Sequence, residues 1–257
     1  DPWSIVQSLS LGDERLRQQI ALRYGLHGVP ANAQEIIVTN GAMEALNLCL
    51  EAVTQPGDIV VVESPTFYAA LQALERLKLQ ALEIATHPRD GIDLAALAEA
   101  LARHSQQRVK ACWLMPSFQN PLGSLMPEDK KRKLVALLAQ YQVPLIEDDV
   151  YGELHFAPRR QLPAKAFDTE GLVMHCSSFT KCLAPGYRVG WVSAGRFATA
   201  VERLKLMTTL ATATPSQQAL SEYLAQGGYD RHLRQLRRSL ARQQDRALAA
   251  IAQYFPA

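Results

Sequence analysis

A lysine stands in the stretch Ser177-Ser178-Phe179-Thr180-Lys181, with Ala184-Pro185-Gly186-Tyr187-Arg188 just after it. Apolar segments at 172–176 and 189–193 flank it and read as short buried strands. Lys181 therefore sits on a turn between strands, with hydroxyls one and three residues before it and a guanidinium seven after. At the mouth of a buried strand a lysine is expected to be partly desolvated, which lowers its pKa and frees the amine to attack a carbonyl. Ser178, Thr180 and Arg188 read as a phosphate cradle, since arginine offers a planar fork of donors. An amine nucleophile beside a phosphate cradle suggests pyridoxal 5'-phosphate.

Other segments supply partners, each with a plainer alternative. Thr39-Asn40-Gly41-Ala42-Met43 joins a strand to a helix, so the amides of Ala42 and Met43 would face an anion, or the segment is an ordinary turn. Asn120, set among prolines and a glycine, can donate to a phenolate oxygen or lie in a plain loop. Asp148 ends an apolar segment, where an unpaired buried carboxylate is costly. It would pair with a protonated ring nitrogen, or serve as a helix cap or salt-bridge partner. Tyr151 can set its hydroxyl near the same ring or pack in the core. Phe67 and Tyr68 can stack on a planar ring or fill the core.

The elements needed to position these groups alternate between strand and helix. Strands are expected at 35–39, 58–62, 79–85, 109–114 and 143–146, the last running into Glu147-Asp148-Asp149. Helices are expected at 15–24, 42–53, 67–77, 93–103 and 128–141. Asp93 caps one, and Pro127 with Glu128 and Asp129 opens another. A further helix starts near Phe197, and a long last one spans 229–253. Such alternation predicts an α/β fold, a largely parallel sheet covered on both faces. Gly41, Asn120, Asp148 and Lys181 all fall just past predicted strand ends, the edge where open α/β sheets bind ligands.

The set Asn120-Pro-x-Gly, Asp148-x-x-Tyr151, Ser178-x-x-Lys181 and Arg188 resembles the fold-type I pyridoxal-phosphate aminotransferases. It is most similar to the branch holding α-aminoadipate and kynurenine aminotransferases and the effector domains of MocR-type GntR transcriptional regulators. The spacings agree, 28 residues from Asn120 to Asp148 and 33 from Asp148 to Lys181. The likeness runs from Gly12-Asp13-x-x-Leu16-Arg17 to His232-Leu233-x-x-Leu236-Arg237.

The resemblance implies a three-layer α/β/α major domain at 30–215, preceded by a helical segment at 1–29. Residues 216–257 would then begin the link to a small C-terminal domain beyond Ala257. It implies that Lys181 holds the cofactor in imine linkage and Asp148 the ring-nitrogen proton, while Asn120 and Tyr151 bond the phenolate oxygen. Ser178, Arg188 and the amides of Ala42 and Met43 would bind the phosphate with Thr180 beside them, and Phe67 would stack on the ring. There are departures: Met43 stands where the family often has glutamine, and no tyrosine precedes Gly12 to reach a neighbouring subunit's phosphate. The arginine that clamps a substrate carboxylate would lie beyond Ala257. A homodimer is implied, with Trp3, Ile5, Val6 and Leu9 covering a neighbouring subunit or folding back.

Composition narrows the rest. The 257 residues are 48% hydrophobic and 20% charged, with a net charge of +2, too small to argue for nucleic-acid or membrane binding. Four cysteines lack metal-type spacing and read as reduced core residues of a cytoplasmic protein. No segment reads as a signal peptide or membrane span. Neither a P-loop nor a G-x-G-x-x-G fingerprint is present. Arg231, Arg234, Arg238 and Arg242 line one face of the last helix and read as a solvated basic face. Leu233, Leu236, Leu240, Leu248 and Ile251 read as its core stripe. The start at Asp1 and the stop at Ala257 read as a piece of a longer protein. Two functions fit: the amine-sensing part of a regulator whose DNA-binding domain lies upstream, or part of a free-standing aminotransferase acting on amino acids and 2-oxo acids.

Overall fold

The structure is a computed structural model that describes residues 10–104 and 109–255. Residues Trp3, Ile5, Val6 and Leu9 lie outside the described residues. Helix α1 (Glu14–Leu26) starts where Asp13 accepts the N–H of Leu16 at 2.8 Å, and buries Leu16, Ile20 and Tyr24 at four-residue spacing. Then come β1 (Ile36–Thr39), α2 (Ala42–Val53), β2 (Ile59–Ser64), α3 (Tyr68–Arg76) and β3 (Gln80–His87). They are followed by β4 (Gly91–Ile92), α4 (Leu94–Arg103), β5 (Val109–Leu114), α5 (Glu128–Tyr141) and β6 (Leu145–Asp148). The last are β7 (Val173–Ser178), β8 (Gly190–Ser193), α6 (Ala198–Thr208), α7 (Thr214–Ala225) and α8 (Gly228–Tyr254).

The strands form one sheet in the order β1-β8-β7-β6-β5-β2-β3-β4. Strands β7, β6, β5, β2 and β3 are parallel, and β4 and β8 run against their neighbours. Alternate residues serve opposite faces, as the strand repeat requires. Ile37, Val60, Val62, Trp113 and Ile146 pack under α2, α3 and α6, while Val61, Cys112, Leu114 and Leu145 pack against α4 and α5. A third cluster joins Ile36 and Val38 to α1, α7 and the start of α8. This is the expected three-layer arrangement.

The differences from expectation are local. Strand β6 runs through Asp148 instead of stopping at Ile146. The short β4 and all of α7 carry no clear sequence signal, since α7 opens with Thr214-Pro215 after a run of small residues. The stripe expected along α8 is a core stripe only at its start. Leu233 is buried, Leu236 and Leu240 are half-buried, and Leu248 and Ile251 are 58% and 51% exposed. At 1.5 Å per residue the helix is about 40 Å long, and its second half outruns the layer beneath it. All four cysteines are free and buried. Among the described residues no helix is long and apolar enough to cross a membrane.

Leu233→Ala is expected to cost about 2–4 kcal/mol by urea unfolding, as buried leucines do. Leu248→Ala should stay within about 0.5 kcal/mol.

Candidate functional site

The connections after β2 and β5 leave the sheet for opposite faces, α3 lying on one and α5 on the other. That divergence opens a crevice at the carboxyl edge, where open sheets bind ligands. A cleft of about 350 Å³ lies at this edge. It is lined by Ala42, Met43, Phe67, Asn120, Asp148, Tyr151, Ser178, Thr180, Lys181 and Arg188, all singled out from sequence, as Tyr68 was. Leu46, Tyr68, Met115 and Val150 complete it. Met115 and Val150 stand one and two residues past strand ends, a position that sequence alone could have flagged.

The lysine turn is built from below. The carbonyl of Phe179 accepts the N–H groups of Leu183 and Ala184 at 2.9 and 3.1 Å. Phe179 packs against Trp191 and Tyr229 with ring centroids 4.9 and 5.5 Å apart. Cys182 turns down to Tyr229, Sγ to hydroxyl 2.9 Å. With both neighbours anchored, Lys181 stands up into the cleft, its Nζ 5.9 Å from the Tyr151 ring centroid. The expected desolvation is absent: among the described residues Lys181 is exposed, although its side chain lines the cleft.

At the other end of the cleft, α2 begins at Gly41 with no side-chain cap, so its first amides are open to a ligand. Gly41 has φ of 85°, and a Cβ there would lie 2.6 Å from an Arg188 guanidinium nitrogen. Glycine thus lets Arg188 lie across the helix start, where it donates to the Asn40 carbonyl at 3.3 Å. Gly190 permits the same approach from below, since a Cβ there would strike Gly41 and the Ala42 nitrogen at 2.6–2.9 Å. Ser178 is buried beside them, and Thr180 Oγ1 is buried without a hydrogen-bond partner.

Asp148 is 2% exposed, and its Oδ1 has no hydrogen-bond partner. Burial first, and the neighbouring Asp149 charge second, push its pKa up to about 7. Asp149 points elsewhere, to Arg160 and to His175 Nε2 at 2.9 Å. Burial raises its pKa too, but the Arg160 charge and the His175 hydrogen bond outweigh that and hold it below the usual range. Arg160, His175 and Tyr24, which meets His175 at 2.6 Å, form a supporting layer that sequence spacing did not reveal. Asn120 follows Gln119 into a cis bond with Pro121, and the side chains of Asn120 and Tyr151 make no hydrogen bond among the described residues.

An open, mostly parallel sheet with its polar groups gathered at the carboxyl edge is the layout of a fold-type I aminotransferase major domain. The family model for aminotransferase class I and II matches residues 9–255, and the chain belongs to that family. It is 56% identical over 254 residues to YdcR of Escherichia coli, described as an uncharacterized HTH-type transcriptional regulator, covering 99% of this chain and 54% of that one. It is 38% identical to YjiR of the same organism, of the same description, covering 96% and 52%. Among solved structures, the kynurenine aminotransferase of Pyrococcus horikoshii is 33% identical with a TM-score of 0.90, covering 97% of this chain and 62% of that one. The chain spans about half the length of these curated relatives.

The Asp148 carboxyl binds its proton more tightly in the folded chain than at its ordinary value of 3.8. The ligand-free protein should therefore lose stability as pH rises from about 4 to about 7. Asp148→Asn removes that loss, so it should be more stable than the parent at pH about 8, by on the order of 1–3 kcal/mol, and no different near pH 4. Urea melts at the two pH values check this.

Proposed function

We propose that this chain is the pyridoxal 5'-phosphate-binding, amine-sensing part of a transcriptional regulator of the MocR/GntR type. The observation that carries the reading is one cleft whose polar ends lack partners. An orphaned buried carboxylate oxygen on Asp148 lies at one end, and an uncapped helix start beneath Arg188 at the other. This donor set fits a flat ring with an acidic N–H on one side and a phosphate on the other.

In that fit Lys181 would hold the cofactor through its amine, and Asp148 would pair with the protonated ring nitrogen, gaining the partner that its Oδ1 lacks. Asn120 and Tyr151 donate to the phenolate oxygen. The amides of Ala42 and Met43, with Ser178, Thr180 and Arg188, hold the phosphate, and Phe67 lies against the ring face. When bound, the cofactor supplies an electron sink that weakens bonds at an amine-bearing carbon. An amino acid or amine ligand would be sensed at the same end of the cleft as Lys181.

The regulator reading is supported by identity, which is higher to the two HTH-type relatives than to the kynurenine aminotransferase. On it, DNA contact belongs to a separate upstream domain, the protein is a cytoplasmic homodimer, and the cofactor lies within 30–215. Residues 1–29 and 216–257 flank that domain, the latter leading toward a small C-terminal domain. The close backbone likeness to an aminotransferase favours a second reading, part of an enzyme that moves an amino group to a 2-oxo acid.

Borohydride treatment of the full-length protein with pyridoxal phosphate should fix the added mass to the peptide containing Lys181. An adduct that survives in Lys181→Ala would overturn the lysine's role. Retention of DNA that changes with amine, without sustained turnover, is expected of the regulator. Turnover of an amino acid with a 2-oxo acid at about 1 per second or faster would establish the enzyme.

A further inference from the structure

Glu63 ends the buried part of β2, is 1% exposed, and touches no residue of opposite charge among the described residues. It stands where the sheet divides. The β2–β5 ladder runs out at Val62 and Trp113. Beyond it β2 stays with β3 as far as Ser64 and Ala85, and β5 stays with β6 as far as Leu114 and Glu147. Parting of the strands would leave the next amide of the β5 segment, Met115 N–H, buried without a strand to accept it. Glu63 Oε2 accepts it at 2.8 Å.

A second tie lies four residues on. Gln119, also 1% exposed, donates from Nε2 to the Pro65 carbonyl at 2.8 Å, and its Oε1 accepts the N–H of Leu122 at 2.8 Å. The segment that presents Met115 and Asn120 to the cleft is thus fastened at two points to the segment that presents Phe67. We propose that Glu63 is a positioning residue, whose side chain replaces the sheet ladder where β2 and β5 part and so holds the Asn120 loop over the cleft.

The electrostatics agree with that geometry. Burial first, opposed by the Met115 hydrogen bond and the nearby Gln119 amide and aided by the Asp148 charge, pushes the Glu63 pKa up to about 8. A neutral carboxylic acid can still accept the Met115 N–H, and it spares Asp148 a second negative neighbour. Met115 N–H is the one hydrogen-bond partner of the side chain among the described residues, and Oε1 has none. The consequence for the cofactor rests on the function proposed above; the positioning itself does not.

The full-length protein is compared with Glu63→Gln, which keeps a neutral acceptor, and Glu63→Ala, which removes it. Without added cofactor, amide hydrogen exchange in peptides covering 115–122 should be about tenfold faster in Glu63→Ala and close to the parent in Glu63→Gln. Peptides from α5 serve as the unchanged control. With pyridoxal phosphate added, Glu63→Ala should bind about tenfold more weakly. The pH at which its visible band titrates should rise as Asn120 loosens from the phenolate oxygen, and Glu63→Gln should restore both. Unchanged exchange in Glu63→Ala, or a Glu63→Gln as impaired as the alanine variant, overturns the proposal. If Glu63→Ala does not fold, Glu63→Asp withdraws the acceptor by one methylene and must give the same local rise. A parent protein that takes up no cofactor, yet shows the expected exchange pattern, would sink the proposed function and leave the positioning role standing.

Discussion

Three consecutive carboxylates, Glu147, Asp148 and Asp149, are buried at the end of one central strand, and the site depends on how each is satisfied. Glu147 faces α5 and accepts the backbone N–H groups of Ala164 and Lys165 at 2.6 and 2.9 Å. Asp149 takes the Arg160 guanidinium and His175, which Tyr24 braces in turn. Asp148, which lines the cleft, has neither an ion-pair partner nor a hydrogen bond to its Oδ1 among the described residues. A buried charge without a partner is costly, so the protein spends stability there unless something cationic arrives. The flanking acids are engaged elsewhere, Glu147 with two backbone amides and Asp149 Oδ2 with Arg160 and His175.

Much of this could be read from sequence, and the reasons are specific. The apolar segments read as ending at Thr39, Leu114 and Cys176 announce strands, the last of which runs on to Ser178, and the polar residues just beyond them must lie at one edge of a parallel sheet. That rule, with the spacing of Asn120, Asp148 and Lys181, found most of the cleft's lining residues. It could not find Arg160, His175 or Glu63. Their roles come from contacts between distant segments, 11 residues for Arg160 and Asp149, 26 for His175 and Asp149, and 52 for Glu63 and Met115. Local pattern carries no information about such pairings. The stripe on α8 failed for a related reason, because periodicity reports an apolar face but not whether anything lies under it. Lys181 failed in the opposite sense: a strand mouth was read as a buried place, yet the lysine there is exposed.

The two glycines explain why the anion end can be so compact. Arg188, the start of α2 and the first residue of β8 converge where Cβ atoms at Gly41 and Gly190 would collide with their neighbours. Removing those two side chains lets a guanidinium and uncapped amides share one small volume. Any larger residue at either position would separate them, and the two sources of positive potential would no longer act on one anion.

Polarity then fixes which way round a ligand lies. The helix start and Arg188 favour negative charge at one end of the cleft, while Asp148 favours a proton-bearing group at the other. A flat molecule turned end for end would put its anion against a buried carboxylate and its N–H against a guanidinium. Each contact is unfavourable by itself, and together they exclude the reversed pose. On the function proposed above, orientation would be set before Lys181 takes part, which is compatible with the exposure of that lysine. On that function it would not have to select the ligand, and its task would be reduced to reaching a carbonyl presented to it. Glu63 would belong to the same division of labour: through Met115 N–H it ties the strand ends from which the segments carrying Asn120 and Phe67 reach the cleft.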